Sequence, residues 1–138
     1  MIDLVRLDLD EDLKGRKIAV LGAAFKPDSD DVRDSPALDI ADQISAAGAV
    51  VHVFDPKANA NAQVRFPKLN YVDSIEACLS GAEIVLHLTE WKEFRAIDPT
   101  KAKALVARAN IIDGRNALDR DAWERAGWHF RALGRTTR

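Results

Sequence analysis

The sequence lacks the marks of several large protein classes. Its 138 residues include a single cysteine, Cys78, which excludes an internal disulfide framework and a cysteine-based zinc site. No charge sign dominates: 20 basic and 22 acidic residues give a net charge of −2, so no long-range positive field would attract a nucleic acid or an anionic membrane. No run approaches the roughly 18 apolar residues of a membrane span, and the N-terminus is unlike a secretory signal. These absences predict a cytoplasmic protein that binds neither nucleic acid nor membrane.

Short apolar runs recur from residue 17 onward and predict the strands. The runs at 17–22 and 83–88 contain segments that are apolar on both faces, which is typical of parallel strands covered by helices on each side. With 138 residues, 47% of them hydrophobic, the chain is large enough to bury one core. The strands are predicted at 17–22, 50–54, 83–88, 110–113 and 128–133, with a short one at 71–72.

Segments with helical periodicity separate these runs. The clearest follows Ser35, which predicts an N-cap, with Pro36 in the first turn and Gly48 at the end. Asp73 and Asp119 are predicted to cap two later helices. The later helices are predicted at 73–80, 99–108 and 119–126.

The alternation of strands and helices predicts the fold class. It indicates an α/β protein with a Rossmann-like, doubly wound, mainly parallel sheet flanked by helices. Residues 17–138 are expected to form this single domain, and residues 1–16 read as a leader or linker that includes at most a short helix.

A long loop after the first strand is the main candidate site. It has twelve residues, 23–34, whereas most such loops have about two to six, and α/β folds bind ligands at the carboxyl ends of their strands. Only the first glycine of a G-x-G-x-x-G fingerprint, Gly22, is in place, so a self-sufficient NAD site is not expected. Lys26 and Arg33 suit a phosphate or carboxylate, or else pair with the loop's own aspartates. Those aspartates favour turns over a magnesium site.

A second candidate site follows the strand at 110–113. Asp113 and Gly114 lead into Arg115, which the topology would place at the same sheet edge as the first loop. A guanidinium there suits a phosphate, a ribose or a uracil carbonyl, or it is an ordinary surface arginine after a turn. The sequence alone leaves both readings open.

Other noticeable residues are expected to be structural. Trp91 and Phe94 are predicted to pack in the core or an interface. The three histidines lie within predicted strands without metal-ligand spacing, and no metal site is predicted. Cys78 reads as a small core group and a poor nucleophile.

Three stretches of the chain have a distinctive sequence and occur in a fixed order. They are KIAVLGAAFKPDSDDVRDSPALDI (17–40), VVHVFDPKA (50–58), and TEWKEF (89–94) with IIDGRNALD (111–119). Together they resemble the C-terminal, UDP-binding domain of the UDP-glucose 6-dehydrogenases, within the UDP-glucose/GDP-mannose dehydrogenase family. The resemblance covers about residues 15–133. Ser29 stands where that family usually has threonine, which keeps the hydroxyl group.

The resemblance implies roles for four residues. Phe25 and Lys26 are expected to contact the nucleotide sugar, Arg115 to make a second contact with it, and Arg33 to reach NAD. Family members oxidise the C6 alcohol of UDP-glucose to a carboxylate with two NAD. Their catalytic cysteine, their main NAD fold and the central helix that usually forms the dimer lie outside the part that this chain resembles. The chain is therefore expected to bind UDP-sugar without catalysing, alongside the N-terminal and central domains of a homodimer or larger assembly.

An alternative from another class is a stand-alone nucleotide-binding or subunit-interaction module without dehydrogenase activity, in which residues 89–94 would form an interface. Within the family, the sequence from Asp113 to Asn116 looks more like the UDP-glucose enzymes than those for UDP-N-acetylmannosamine or GDP-mannose.

Overall fold

Strands and helices alternate along the chain in the computed structural model, which describes residues 2–9 and 12–132. The strands are β1 Lys17–Leu21, β2 Val50–Phe54, β3 Asn70–Tyr71, β4 Ile84–His87, β5 Asn110–Asp113 and β6 His129–Ala132. The helices are α1 Ile2–Asp8, α2 Pro36–Ala46, α3 Asn59–Arg65, α4 Ile75–Leu79, α5 Lys92–Arg95, α6 Pro99–Lys103 and α7 Arg120–Arg125.

The strands form one sheet in the order β3-β2-β1-β4-β5-β6. Every neighbouring pair is parallel, which confirms the predicted doubly wound, Rossmann-like sheet. The order reverses between β1 and β4, because the chain moves to one edge through β2 and β3 and to the other through β5 and β6. The sheet therefore has a switch point beside β1.

Helices cover both faces of the sheet. In β1, Ile18 and Val20 pack with α1, α2 and α3, whereas Ala19 and Leu21 pack with α4, α5, α6 and α7. The alternate side chains of one strand therefore belong to two separate apolar clusters. This explains why the strand sequence is apolar on both faces.

The predicted strands are all present, with ends that differ by at most one residue; residue 133 lies outside the described residues. The helix after Ser35 is confirmed, and the Ser35 hydroxyl accepts a hydrogen bond from the Leu38 amide at 3.4 Å. The Asp119 carboxylate likewise caps α7 by accepting from the Ala122 amide at 3.2 Å. Sequence reasoning did not find α3 or α5, because α3 is rich in polar residues with no side-chain cap and α5 has only four residues.

Two helix ends differ from prediction. Ser74, not Asp73, caps α4, because its hydroxyl accepts from the Ala77 amide at 3.0 Å. The predicted helix at 99–108 ends at Lys103. Beyond that point the backbone bonds to the segment before β4, with the Ala107 amide donating to the Ala82 carbonyl at 2.8 Å.

Helix α1 contributes to the core. Its Val5 side chain is fully buried, as is that of Leu9, and both pack with α2. The Asp8 carboxylate lies 2.8 Å from Arg131 Nε and so links the helix to β6. The proposed boundary at residue 16 stays a prediction. No helix in the described ranges, 2–9 and 12–132, is long and apolar enough to cross a bilayer.

Candidate functional site

The candidate site lies at the switch point beside β1, where the order of the strands in the sheet reverses. β1 pairs with β2 on one side and β4 on the other, and the segments that follow these strands meet at the carboxyl edge of the sheet. A crevice at such a switch point is where open α/β sheets bind ligands. The loop 23–34, which the sequence singled out, starts here.

The loop begins in close contact with the segment after β4. Gly22 has φ of +111°, and a Cβ atom there would lie 2.5 Å from both Cβ and Oγ1 of Thr89. The buried Thr89 hydroxyl donates to the Ala24 carbonyl at 2.8 Å. Glycine at position 22 is therefore required both by the backbone conformation and by the lack of space.

The carboxylate of Asp55, immediately after β2, organises three segments. Its Oδ2 accepts from the backbone amides of Ala23 at 2.8 Å and Ala24 at 3.0 Å, and from Trp91 Nε1 at 3.0 Å. Its Oδ1 accepts from the amides of Lys57 at 2.9 Å and Ala58 at 2.8 Å. Asp55 is only 2% exposed, so these bonds replace the water that an ionised group would otherwise need. The carboxylate thus joins the segments after β1, β2 and β4.

Sequence reasoning missed this role of Asp55. The residue was visible as an acid at the end of a predicted strand, and it lies in one of the stretches that resemble the family. The sequence could not show that it joins three segments, because three of its five partners, the amides of Ala23 and Ala24 and the Trp91 indole, lie more than thirty residues away. Trp91 is 2% exposed, which confirms its prediction as a packed residue, and its indole N–H adds a polar function to that packing.

The outer part of the loop is a compact turn. The Phe25 amide donates to the Asp31 carbonyl at 2.9 Å, and the Ser29 hydroxyl accepts from the Asp31 amide at 3.0 Å. Asp28 and Asp34 have φ of 64° and 54°, a left-handed conformation that aspartate tolerates. The aspartates of this loop thus shape it, as predicted. Among the residues that the structure describes, no three His, Cys, Asp or Glu side chains are placed to hold a metal ion.

The structure brings Arg115 against the loop that holds Phe25 and Lys26. Arg115 Nη2 donates to the Phe25 carbonyl at 2.5 Å, and Arg115 Nε lies 3.3 Å from a carboxylate oxygen of Glu90. Phe25 is 47% exposed, and Lys26 is exposed too. Within the described ranges, Lys26 has no ion-pair or hydrogen-bond partner, so its ammonium group is available to a ligand.

A buried pair supports the segment that bears Arg115. The Asp113 carboxylate lies 2.9 Å from His87 Nδ1, and both side chains are almost fully inaccessible. It also accepts from the backbone amides of Arg115 at 3.0 Å, Ala117 at 2.9 Å and Leu118 at 2.8 Å. Burial raises the pKa of Asp113, but the hydrogen bonds from His87 and the amides outweigh it, so the net pKa is lowered. The ionised carboxylate holds the turn in place.

Arg33 lies on the same loop but has a partner of its own. Its Nε and Nη2 each donate to the Asp31 carboxylate at 3.1 Å. This bidentate hydrogen bond lowers the pKa of Asp31 to about 2. The Arg33 side chain is nevertheless 79% exposed. Of the two interpretations that the sequence left open, pairing with a loop aspartate applies to Arg33 and not to Lys26.

The lone cysteine takes no part in the site. Cys78 lies in α4, and its side chain is fully buried between this helix and the sheet. Its thiol lies 3.4 Å from the His52 carbonyl. Burial raises the pKa of this thiol to about 12. The structure therefore supports the prediction that Cys78 is a core group with little nucleophilic character.

Comparison with known proteins finds sugar-nucleotide dehydrogenases both among the relatives by sequence and among the similar structures. Residues 19–120 match the UDP-glucose/GDP-mannose dehydrogenase family, UDP binding domain. The UDP-glucose 6-dehydrogenase of Rickettsia bellii is 40% identical over 136 residues, which are 97% of this chain and 31% of that protein. The enzyme of the same name from Bacillus subtilis is 37% identical, over 89% of this chain and 27% of its own length.

Two solved structures are similar across nearly the whole chain. The NDP-N-acetyl-D-galactosaminuronic acid dehydrogenase of Methanosarcina mazei has a TM-score of 0.84 at 31% identity, and the match covers 97% of this chain and 28% of that one. A UDP-glucose dehydrogenase from Pyrobaculum islandicum has a TM-score of 0.78 at 30% identity, covering 94% and 28%. The chain thus spans about a third of the length of the proteins that it resembles.

Proposed function

The chain belongs to the UDP-glucose/GDP-mannose dehydrogenase family, and from this premise we propose that it binds the nucleotide part of UDP-glucose as the C-terminal portion of an NAD-dependent UDP-glucose 6-dehydrogenase. The observation that carries the proposal is the contact between Arg115 and the Phe25 carbonyl, at 2.5 Å. Two motifs ninety residues apart meet there at the switch point of the sheet. A ligand above this edge would meet both.

The exposed side chains at this edge suit a nucleotide diphosphate. Lys26 offers an ammonium group without a competing partner in the described part of the chain, and Arg115 a guanidinium that already faces the loop. The exposed ring of Phe25 provides an apolar surface for a base or a sugar. A hydrogen bond between charged groups contributes about 1.5–3 kcal/mol. These two cations would give a diphosphate a local positive site on a protein whose net charge is −2.

The choice of sugar is supported by the relatives. The similar proteins of Rickettsia bellii and Bacillus subtilis are both named as UDP-glucose enzymes. We therefore favour UDP-glucose, with oxidation to UDP-glucuronate by the complete enzyme. The interpretation as a stand-alone module without dehydrogenase activity is not favoured, because the named relatives are dehydrogenases of which this domain forms about a third.

We expect this chain to contact NAD without binding it by itself. The chain has one glycine of the dinucleotide fingerprint, Gly22, and the amides of Ala23 and Ala24 are already bonded to Asp55. The exposed Arg33 is the residue that we expect to reach NAD, which would be held mainly by the N-terminal domain and would supply the hydride acceptor. The role of this chain is to bind and orient the UDP-sugar. The complete enzyme is proposed to be a cytoplasmic homodimer or larger assembly.

Calorimetric titration of the chain with UDP-glucose tests the proposal, with GDP-mannose and NAD as comparison ligands. Saturable binding of UDP-glucose alone is expected, and its absence would refute a nucleotide site in this chain. Lys26→Ala and Arg115→Ala should each weaken binding by roughly tenfold or more, since each removes a charge-assisted bond. Arg33→Ala should leave UDP-glucose binding unchanged.

Matched controls separate binding from folding. Lys68→Ala and Arg125→Ala remove the same charges from exposed positions that have no place in the site. These two variants should bind UDP-glucose like the parent chain. Lys26→Ala, Arg33→Ala and the two controls should unfold within about 0.5 kcal/mol of the parent, as surface substitutions usually do. Arg115→Ala should lose about 1 kcal/mol, because it removes the bond to the Phe25 carbonyl and the pair with Glu90. A loss of stability in Lys26→Ala, or a loss above about 3 kcal/mol in Arg115→Ala, would mean that the residue is mainly structural.

A further inference from the structure

Two parts of a dinucleotide site are present in this fold but are bonded to each other. In folds that bind dinucleotides, the amides after β1 approach the pyrophosphate, and an acid at the end of β2 binds a ribose. Here the amides after Gly22 belong to Ala23 and Ala24, and the acid after β2 is Asp55. Oδ2 of Asp55 accepts from the two amides at 2.8 and 3.0 Å.

We propose that the Asp55 carboxylate is an internal anion that fills the phosphate cradle after β1. It closes the switch point to the pyrophosphate of a dinucleotide. It also fixes the base of the loop from which Phe25 and Lys26 project, and this second statement rests on the function proposed above. Asp55 is thus a positioning and specificity-determining residue, and it touches no substrate atom.

The contacts of Asp55 are those of an anion and of nothing else. All five of its partners are N–H donors: four backbone amides and the indole of Trp91. Three of these donors face Oδ2 and two face Oδ1. An asparagine in its place would turn its own N–H groups toward one of the two sets, and that set of donors would have no acceptor. The site is buried, so water could not replace the missing bonds. The arrangement therefore needs a negative charge with two accepting oxygens.

The rest of the cradle is closed as well. The carbonyl of Ala23 accepts from the Ser35 hydroxyl at 2.7 Å, and that of Ala24 accepts from the Thr89 hydroxyl at 2.8 Å. All four backbone polar groups of these two residues are thus bonded to side chains. The Ser35 oxygen also accepts from the Leu38 amide in the first turn of α2. An incoming phosphate would find neither the amides after β1 nor this amide free, so exposed side chains must bind the ligand.

Rescue by a small anion tests the proposal without any nucleotide. Asp55→Ala empties the cradle, and formate is small enough to take the place of the missing carboxylate. Sodium formate should raise the thermal midpoint of this variant saturably by about 3 °C or more, relative to sodium chloride at equal ionic strength. The parent chain and Asp55→Asn, whose cradles stay filled, should respond equally to the two salts. An equal response to both salts in Asp55→Ala, or the same formate effect in the parent chain, would overturn the proposal.

Hydrogen exchange in the parent chain provides a test that does not depend on a variant folding. The amides of Ala23 and Ala24 should exchange at least a hundredfold more slowly than that of Lys26, which has no acceptor in the described residues. Fast exchange at Ala23 and Ala24 would overturn the closed cradle.

The positioning effect is tested by titrating Asp55→Asn with UDP-glucose. We expect binding roughly tenfold weaker than in the parent chain. In either orientation of the asparagine amide, one group of donors loses its acceptor, so the link between the base of the loop and the segment after β2 is broken. Ile44→Val is the matched control, since it destabilises the core at the far end of α2 and should leave binding unchanged. Unchanged binding in Asp55→Asn would overturn the positioning effect. A parent chain that binds no UDP-glucose would refute the proposed function and leave the formate result standing.

Discussion

Replacement of Gly22 by alanine should destabilise the fold at the edge of the site. Two physical costs arise at this position. The backbone has φ of +111°, which an L-residue with a Cβ rarely adopts, and the new Cβ would lie 2.5 Å from Thr89 Cβ and Oγ1 and 2.7 Å from its backbone nitrogen. The backbone nitrogen cannot move aside without disturbing the segment after β4. The clash therefore cannot be relieved by a change of rotamer.

The expected loss of stability can be worked from these two costs. A residue in a sparsely populated backbone conformation costs about 1–3 kcal/mol. Overpacking in a closely packed interior costs about 1–3 kcal/mol more. We therefore expect Gly22→Ala to lower the free energy of unfolding by about 4 kcal/mol. For a domain of this size that lowers the melting temperature by about 12 °C.

Gly15→Ala provides a matched control. Gly15 also has positive φ, +75°, but a Cβ there would meet nothing within 4 Å. This variant should lose only about 1 kcal/mol, the cost of the left-handed backbone less the gain from restricting the unfolded chain. Urea unfolding can be followed through the buried tryptophans Trp91, Trp123 and Trp128. Equal losses in the two variants would refute the close contact between Gly22 and Thr89.

Three further predictions concern titratable groups. The pKa of Asp113 is lowered in the fold, so this carboxylate stabilises the protein above its unfolded pKa, near 3.8, and that stability is lost as the pH falls through the folded pKa. Asp113→Asn should therefore be less stable than the parent at pH 7 by about 1–3 kcal/mol, because buried donors lose their acceptor. On acidification to pH 3 the variant should lose less stability than the parent. Urea unfolding at both pH values measures the two differences. Arg33→Ala should raise the pKa of Asp31 from about 2 toward 3.8 in a carboxyl NMR titration, and an unmoved pKa would contradict the bidentate pair. Cys78, whose burial raises its pKa to about 12, should react with a thiol reagent at pH 8 only after unfolding.

The strands and the parallel sheet followed from local sequence. Apolar runs such as that at 17–22 have to be buried on both faces, and that requirement is met by a parallel sheet between two layers of helices. Gly22 and the long loop after it also indicated the edge where the candidate site lies, because chain connectivity alone places that loop at the carboxyl end of β1. The motifs with Lys26 and Arg115 were likewise visible without a structure.

The bonds that hold the site together were decided by the tertiary structure. Asp55 meets residues 31 and 36 positions away, and Arg115 meets a carbonyl 90 positions away. Such pairings depend on which strands become neighbours and on the direction in which each loop leaves its strand, and local periodicity has no information about either. In the sequence, Asp55 is only an acid that follows a predicted strand. It becomes the centre of the candidate site when folding places five N–H groups around its carboxylate.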